Sequence, residues 1–508
     1  MHPSSRLPWA LAGVVTGVAG LATSYAVAMM LTIRESPVVA VAELVIRLTP
    51  GAVAERIIGV VGQLDKPLLV AGILVFLLAM FTLAGLMART SWVRPQLVWL
   101  GLSAIGMVAV LVQRGAQAVD LVPVLVGLVT WVALLPALTA PLRMGIDHPE
   151  LESRERRVFL MVAGVLGVAA VGVATAGRVV GAGRRHVVES RRLLRLDEVT
   201  PPEPPPGASI GVRDVSPWQT PNDDFYLIDT AISVPAVEPK DWRLRIHGMV
   251  DRELVLTYDD LIARGLTEAW VTLNCVSNEV GGGLVGNAWW SGVRIADLLE
   301  EVGVRGDADC VLQTSEDGWT CATPLTTLTD ERDAMLAVAM NGRPLPLEHG
   351  FPVRSIVPGL YGYVSATKWV VDFEVTRFGD VAAFWTQRGW SEQGPVKIAS
   401  RIDVPRSGAD VDPGPLEVGG LAWKQHTGIA GVEIALDGGA WERARLAEAP
   451  TDDTWVQWAG TIDATPGDHS LRVRAIGRDG DVQTGAVADV VPDGATGWHT
   501  VEFSVRDA

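Results

Sequence analysis

Five apolar runs fall within the first 180 residues, at Pro8–Met30, Leu68–Met87, Leu97–Val112, Leu121–Leu142 and Phe159–Val179, and no run of that kind follows. About 20 apolar residues in helical form cross a hydrocarbon core of about 30 Å, and a helix is the form that satisfies its own backbone there. The first 180 residues are therefore expected to be a helical transmembrane domain of five spans. The stretch Pro37–Gln63 is apolar but broken by Glu43, Arg47, Pro50, Glu55 and Arg56, and reads as interfacial or re-entrant. None of the eight histidines (2, 148, 186, 247, 349, 426, 469 and 499) lies in a span. A haem held between spans needs axial histidines projecting inward, so this half is not read as a haem wire. Its reading is an anchor, with quinone or partner docking behind it.

Charge divides the chain in the same place. Residues 1–200 hold 18 Lys and Arg against 12 Asp and Glu, and the remainder 24 against 46. So acidic a second half, with no basic stripe, excludes nucleic acid as a partner. Three cysteines, Cys275, Cys310 and Cys321, make no disulfide framework, and no Cys/His cluster spells a zinc site. Cys310 and Cys321 flank Glu316-Asp317-Gly318, a turn signal, and read either as one disulfide or as buried free thiols.

Ahead of the fifth run stands Ser153-Arg154-Glu155-Arg156-Arg157-Val158-Phe159-Leu160. It resembles a twin-arginine export signal; the alternative is arginines obeying the positive-inside rule. Both place this loop in the cytoplasm and everything after Val179 outside. The basic run from Arg184 to Arg195 runs against that orientation unless the segment crosses already folded. Pro201 to Gly207 favours polyproline II and reads as a semi-rigid stalk within a linker at 181–208.

Beyond the linker the pattern turns to strands and short helices. Thr257-Tyr258-Asp259-Asp260 offers a capping hydroxyl and an N3 carboxylate for a short helix, and Ile295, Leu298, Leu299 and Val302 recur at helical spacing. Trp270 to Leu273 reads as a strand ending at Cys275. From about residue 396, Val432, Ile434 and Leu436 alternate, as do Leu471, Val473 and Ala475, with Asp-Gly turns between. This predicts a separate antiparallel sandwich, with Trp423, Trp441, Trp455 and Trp458 in its core.

Gly281-Gly282-Gly283-Leu284-Val285-Gly286 matches G-x-G-x-x-G, the dinucleotide-loop pattern. No series of βαβ units follows, and Trp289 and Trp290 would crowd a pyrophosphate, so nicotinamide and flavin are set aside. The chemistry lies just upstream, in Leu273-Asn274-Cys275-Val276-Ser277-Asn278-Glu279-Val280-Gly281-Gly282. A thiolate at a strand end, entering a glycine-rich loop, can ligate a metal beside a bulky cofactor; taken alone, it reads first as a small buried thiol.

Three segments carry a resemblance to the sulfite oxidase family of molybdenum enzymes over residues 209–508. They are Thr220-Pro221-Asn222-Asp223-Asp224-Phe225-Tyr226, the Cys275-Val276-Ser277-Asn278 loop, and His349-Gly350-Phe351-Pro352-Val353-Arg354 followed by Val357-Pro358-Gly359 and Lys368-Trp369. The resemblance implies a molybdenum cofactor, Mo-molybdopterin, with Cys275 as the catalytic thiolate ligand to the metal. It implies cofactor binding by His349, Arg354 and Lys368, and by Tyr226, Asp229, Thr230, Thr314, Ala366 and Thr367. It also implies an α+β catalytic domain at 209–395 and an immunoglobulin-like dimerisation domain at 396–508, hence a homodimer.

Where sulfite oxidases hold substrate arginines, this chain has Ile228, Val280 and Ser365, and Ala382 stands in place of an active-site tyrosine. Tyr361 and Tyr363 either supply hydroxyls there or pack in the core. Sulfite is therefore a doubtful substrate, and a sulfoxide or other neutral oxo compound fits better. The whole reads as a multi-domain, membrane-anchored oxidoreductase transferring an oxygen atom outside the cytoplasm. Its electrons would pass to or from a separate cytochrome or quinol. The rival readings are a cofactor-free, membrane-tethered binding protein and, more weakly, a transporter.

Overall fold

The computed structural model describes residues 6–507 except 32, 34, 52, 54–56, 58–63, 149–151, 181, 182 and 201. Glu55 and Arg56 of the expected interfacial stretch, and Pro201 of the expected stalk, lie outside the described residues. The chain divides into two compact units, one of residues 1–189 with 230–236 and one of residues 190–229 with 237–508.

The first unit is helical: α1 (Arg6–Met30), α2 (Pro37–Leu48), α3 (Asp65–Ala88), α4 (Val93–Leu111), α5 (Val122–Asp147) and α6 (Glu152–Val180). Helix α1 packs on α3, α5 and α6. Small residues let the helices close. A Cβ on Gly13 would meet the Phe81 carbonyl oxygen at 2.1 Å, and one on Gly85 would meet that of Trp9 at 2.2 Å. Such backbone approach is how apolar helices associate without a hydrophobic driving force between them. Trp131 donates its indole N–H to the Gly17 carbonyl at 3.0 Å and stacks on Trp99, with ring centroids 5.1 Å apart.

Four helices are long and apolar enough to cross a membrane: Arg6–Met30, Asp65–Ala88, Val93–Leu111 and Ala118–Ile146. The fifth expected run lies in α6, where the described apolar stretch is the shorter Arg157–Val173. The stretch expected to be interfacial begins as α2, capped by Ser36.

The second unit is β-rich. One sheet runs β2 (Leu254–Thr257), β1 (Arg243–Gly248), β10 (Val370–Thr376), β5 (Cys310–Ser315), β6 (Thr320–Pro324). Another runs β3 (Thr267–Asn274), β4 (Val285–Arg294), β7 (Met335–Met340), β8 (Arg343–Pro344), with β9 (Arg354–Ile356) also on β7. The capping box forms: the Thr257 hydroxyl accepts from the Asp260 N–H at 3.1 Å, and the Asp260 carboxylate accepts from that of Thr257 at 2.9 Å. Ile295, Leu298, Leu299 and Val302 all bury from the helix Ile295–Val302. Gly286 lies inside β4, so the G-x-G-x-x-G segment opens a strand and not a helix.

Two further sheets follow: β11 (Ala399–Val404), β13 (Gly414–Trp423), β17 (Val456–Ala464), β16 (Arg445–Leu446); and β12 (Ala409–Val411), β19 (Thr500–Val505), β18 (Gly467–Gly477), β14 (Ile429–Leu436), β15 (Glu442–Arg443). The two alternating segments pair antiparallel, Val432 opposite Ala475, Ile434 opposite Val473 and Leu436 opposite Leu471. Val418 and Trp458 from one sheet meet Ile434, Val473 and Phe503 from the other in one buried cluster.

The four tryptophans expected in that cluster separate. Trp458 is in it, whereas Trp423 and Trp455 bury in the larger core with Trp218, Trp270 and Val276. Trp455 and Trp218 exchange indole N–H bonds to each other's carbonyls, which draws Trp455 to that side. Trp441 is half-buried, edge-on to Trp498 and under the Arg474 guanidinium. The expected stalk is fastened to its own unit: Glu198 accepts from the Leu266 N–H, Glu268 from Thr200, and the Gly207 carbonyl from the Glu448 N–H. Proline removes donors from such a segment but leaves flanking groups free to bond.

Candidate active site

Cys275 is the first residue after β3, and the last pair of the β3–β4 ladder, Asn274 opposite Val285, closes the loop at 275–284. Inside that loop the Cys275 N–H donates to the Leu284 carbonyl at 2.9 Å, and the Asn278 side-chain oxygen accepts from the Leu284 N–H at 2.8 Å. The Cys-x-x-Asn spacing thus has a local cause: the asparagine ties the far end of the loop back beside the cysteine. Cys275 is buried. Burial pushes its thiol up, opposed by hydrogen bonds from Ser277 and by the charge of Lys368. A thiolate there needs a cation close by.

The second sheet contributes Arg354, which opens β9 opposite Ala337 and is 4% exposed. It donates from Nη1 to the His349 carbonyl at 3.1 Å and from Nη2, at the limit of 3.5 Å, to the Ala366 carbonyl. Its guanidinium lies over the Trp290 ring at 5.2 Å. Its Nε has no hydrogen-bond partner, and it pairs with no carboxylate among the described residues. Burial lowers its pKa to about 10.

His349 ends a short 3₁₀ turn. Its Nε2 is 3.0 Å from the Asn222 carbonyl, and its buried Nδ1 has no partner among the described residues. Burial first, then the charges of Arg354 and Lys368, pushes it down to about 3, so the ring is neutral and Nε2 donates. Phe225 stands edge-on to both His349 and Trp290 and stacks on Tyr226. Lys368, just before β10, is also buried and donates to Asp229 at 3.0 Å. Gly350 has φ +107, and a Cβ there would lie 3.1 Å from the Lys368 Cα, so the turn between His349 and Arg354 needs glycine.

Of the other expected site residues, Tyr226, Ala366 and Thr367 join this cluster. Gly362 sits beside Ala366, the Asn274 carbonyl and the Tyr226 hydroxyl. Burial, then proximity to Cys275, raises the Tyr226 phenol. Thr367 gives its backbone N–H to Ser355 at 2.8 Å, and its hydroxyl lies 3.2 Å from the Cys321 sulfur. Thr314 sits on β5 opposite Thr320 and Asp372. Thr230 opens the 230–236 stretch that groups with the helical unit.

Cys310 and Cys321 are free thiols. The hairpin register sets Cys310 opposite Pro324 and Cys321 opposite Gln313, so they are not cross-strand neighbours. Tyr363 donates to the Ser391 carbonyl at 2.8 Å and packs in the core, and the Tyr361 hydroxyl accepts from the Lys397 N–H at 3.3 Å. Ile228 and Val280 are exposed, while Ser365 is buried with its hydroxyl donated to the Leu360 and Tyr361 carbonyls.

Sequence reasoning missed Asn274, whose buried side-chain amide has neither atom partnered among the described residues. It also missed Asn222, Phe225 and Trp290 as the wall behind His349 and Arg354. The signal for Asn274 was its place next to the cysteine; Trp290 had none, because an aromatic in a strand reads as core.

The family model for the oxidoreductase molybdopterin binding domain matches residues 231–385. An uncharacterized oxidoreductase of Bacillus subtilis (strain 168), YuiH, is 35% identical over 181 residues, which cover 35% of this chain and 87% of that protein. The chain belongs to the sulfite oxidase family of molybdopterin oxidoreductases. Within that family, the sulfite oxidase of Gallus gallus is 27% identical over 384 residues, covering 61% of this chain and 83% of that one. Among solved structures, the sulfane dehydrogenase SoxCD of Paracoccus pantotrophus is similar at 24% identity with a TM-score of 0.49, covering 60% of this chain and 89% of that one.

Family membership makes the protein an oxidoreductase with Mo-molybdopterin as cofactor, and overturns the cofactor-free binding reading. The residues present fit that group. A buried guanidinium without a carboxylate partner, an orphaned imidazole nitrogen and a second buried cation are costly in an empty protein and match an anionic ring system with many hydrogen-bonding atoms.

Proposed function

We propose that Cys275 is the protein's thiolate ligand to molybdenum, and that His349, Arg354 and Lys368 hold the pterin and its phosphate. The observation that carries this is the buried, carboxylate-free Arg354 beside the orphaned Nδ1 of His349. When bound, the cofactor supplies oxygen-atom transfer coupled to a two-electron change. Arg354 binds an anionic part of it through Nε and fixes the 349–354 turn through Nη1. His349 stays neutral and offers Nδ1 as an acceptor. Lys368 is oriented by Asp229, while Tyr226, Thr314, Ala366 and Thr367 complete the lining.

The substrate is a small, neutral oxo compound such as a sulfoxide. Exposed Ile228 and Val280, and a Ser365 hydroxyl already donated to backbone, offer sulfite none of the charged contacts it would need. Electrons go to or come from a separate cytochrome or quinol. Residues 396–508 form an immunoglobulin-like domain through which two chains pair, and the apolar helices anchor the enzyme with its active site outside the cytoplasm. Arg154 and Arg157, after four candidate spans, support that orientation.

Metal and pterin analysis of protein matured with its cofactor tests the site. One molybdenum per chain is expected in the wild type and almost none in Cys275→Ser; equal content in the two removes the ligand assignment. A screen of sulfoxides, N-oxides and sulfite with artificial electron carriers then tests the substrate class.

A further inference from the structure

The loop that carries Cys275 is gripped from its outer side by residues far along the chain. Arg401, on β11, donates from Nη1 to the Gly282 carbonyl at 2.9 Å, from Nη2 to the Ser216 hydroxyl at 2.9 Å, and from Nε to the Asp403 carboxylate at 2.7 Å. Its guanidinium plane is thereby fixed along three directions. His499, just ahead of β19, accepts the Ile402 N–H on Nδ1 at 2.9 Å, which fixes its ring. That ring lies against Gly281: a Cβ there would come within 2.2 Å of it, and Gly281 has φ +78.

On the inner side the loop is tied by Asn278 to Leu284 and by the Gly282 N–H to the Glu279 carbonyl at 2.9 Å. Alongside runs an open cavity of about 290 Å³, lined by Arg401, Arg406, His499, Gly281 and Gly283. Three successive glycines bordering solvent would sample many conformations if left unheld. Arg401 and His499 remove that freedom, and the cysteine stands at the other end of the same short loop.

We infer that Arg401 and His499 are positioning residues that fix the Cys275 sulfur through the 281–283 backbone. The inference rests on Cys275 being the metal ligand. It makes the C-terminal β-sheets part of the active-site scaffold, because Arg401 lies on β11 and His499 leads into β19. Groups that orient a ligand without touching the metal tune the site as the ligand does.

The test measures amide hydrogen exchange of the 276–285 segment, together with molybdenum content and the EPR spectrum of partly reduced holoenzyme. Arg401→Ala should raise exchange there by about tenfold or more, the effect of losing one hydrogen bond from a charged donor. The EPR signal should shift while molybdenum content stays near wild type, and Arg401→Lys should recover part of both. His499→Ala, which leaves the Arg401 network in place, should loosen the same segment and decides the matter if Arg401→Ala does not fold. Unchanged exchange and an unchanged spectrum in these variants would overturn the inference. If Cys275→Ser keeps its metal, the ligand assignment fails instead, and the exchange data still report whether the clamp exists.

Discussion

Replacing Arg354 with methionine should separate the cost of the site from its use. In cofactor-free protein the substitution removes one good hydrogen bond, to the His349 carbonyl at 3.1 Å, and one marginal contact at 3.5 Å. A hydrogen bond from a charged group contributes about 1.5–3 kcal/mol, and the marginal contact adds little. Against this, the guanidinium is buried without a carboxylate partner among the described residues, a burden of several kcal/mol that methionine does not carry. Cofactor-free Arg354→Met should therefore be as stable as the parent or more so, by about 0–3 kcal/mol. With cofactor the sign reverses. Nε and the weakly engaged Nη2 are the groups free to bind, and losing two charge-assisted bonds takes away about 3–6 kcal/mol, or about 10²- to 10⁴-fold in retention. The assay is thermal or urea unfolding of protein from cells unable to make the pterin, set beside metal content of cofactor-matured protein after gel filtration. A cofactor-free variant weaker by several kcal/mol, whose matured form keeps wild-type molybdenum, would refute the reasoning.

Two further outcomes are expected. His469 is raised above its ordinary value by Asp437, 2.8 Å away, so its contribution is complete below the unfolded histidine value and is lost as pH rises through the folded one. His469→Gln should lower the Tm at about pH 5.5 and change it less at about pH 8.5, on either side of about 6.5, with the pH-dependent part small and salt-sensitive because the Asp437 carboxylate is half-exposed; a pH-independent difference would count against it. The protein should stay with membranes through alkaline carbonate washing. A fragment beginning near Ser190 should be released, and its retention would argue against the helices as the anchor.

Much of this architecture is legible in the chain itself. Apolar runs locate the helices because length and composition suffice for that. The capping box at Thr257 and the heptad-like spacing of Ile295, Leu298, Leu299 and Val302 act within a turn or two, so local sequence carries them. The alternation at 432–436 and 471–475 gives two strands, though not that they pair with each other. Cys275, His349, Arg354 and Lys368 are readable only through motif resemblance, since each alone is an unremarkable residue type.

What only the tertiary structure decides is how segments distant in sequence meet. The orphaned Nδ1 of His349 and the uncompensated charge of Arg354 are properties of surroundings, set where the 349–354 turn packs on Phe225 and Trp290. The transfer of Trp423 and Trp455 to the larger core, and the grip of Arg401 and His499 on a loop more than a hundred residues earlier, leave no trace in local pattern. Hydrophobic period and capping act over a few residues; burial, charge compensation and backbone clamping depend on what the folded chain brings alongside.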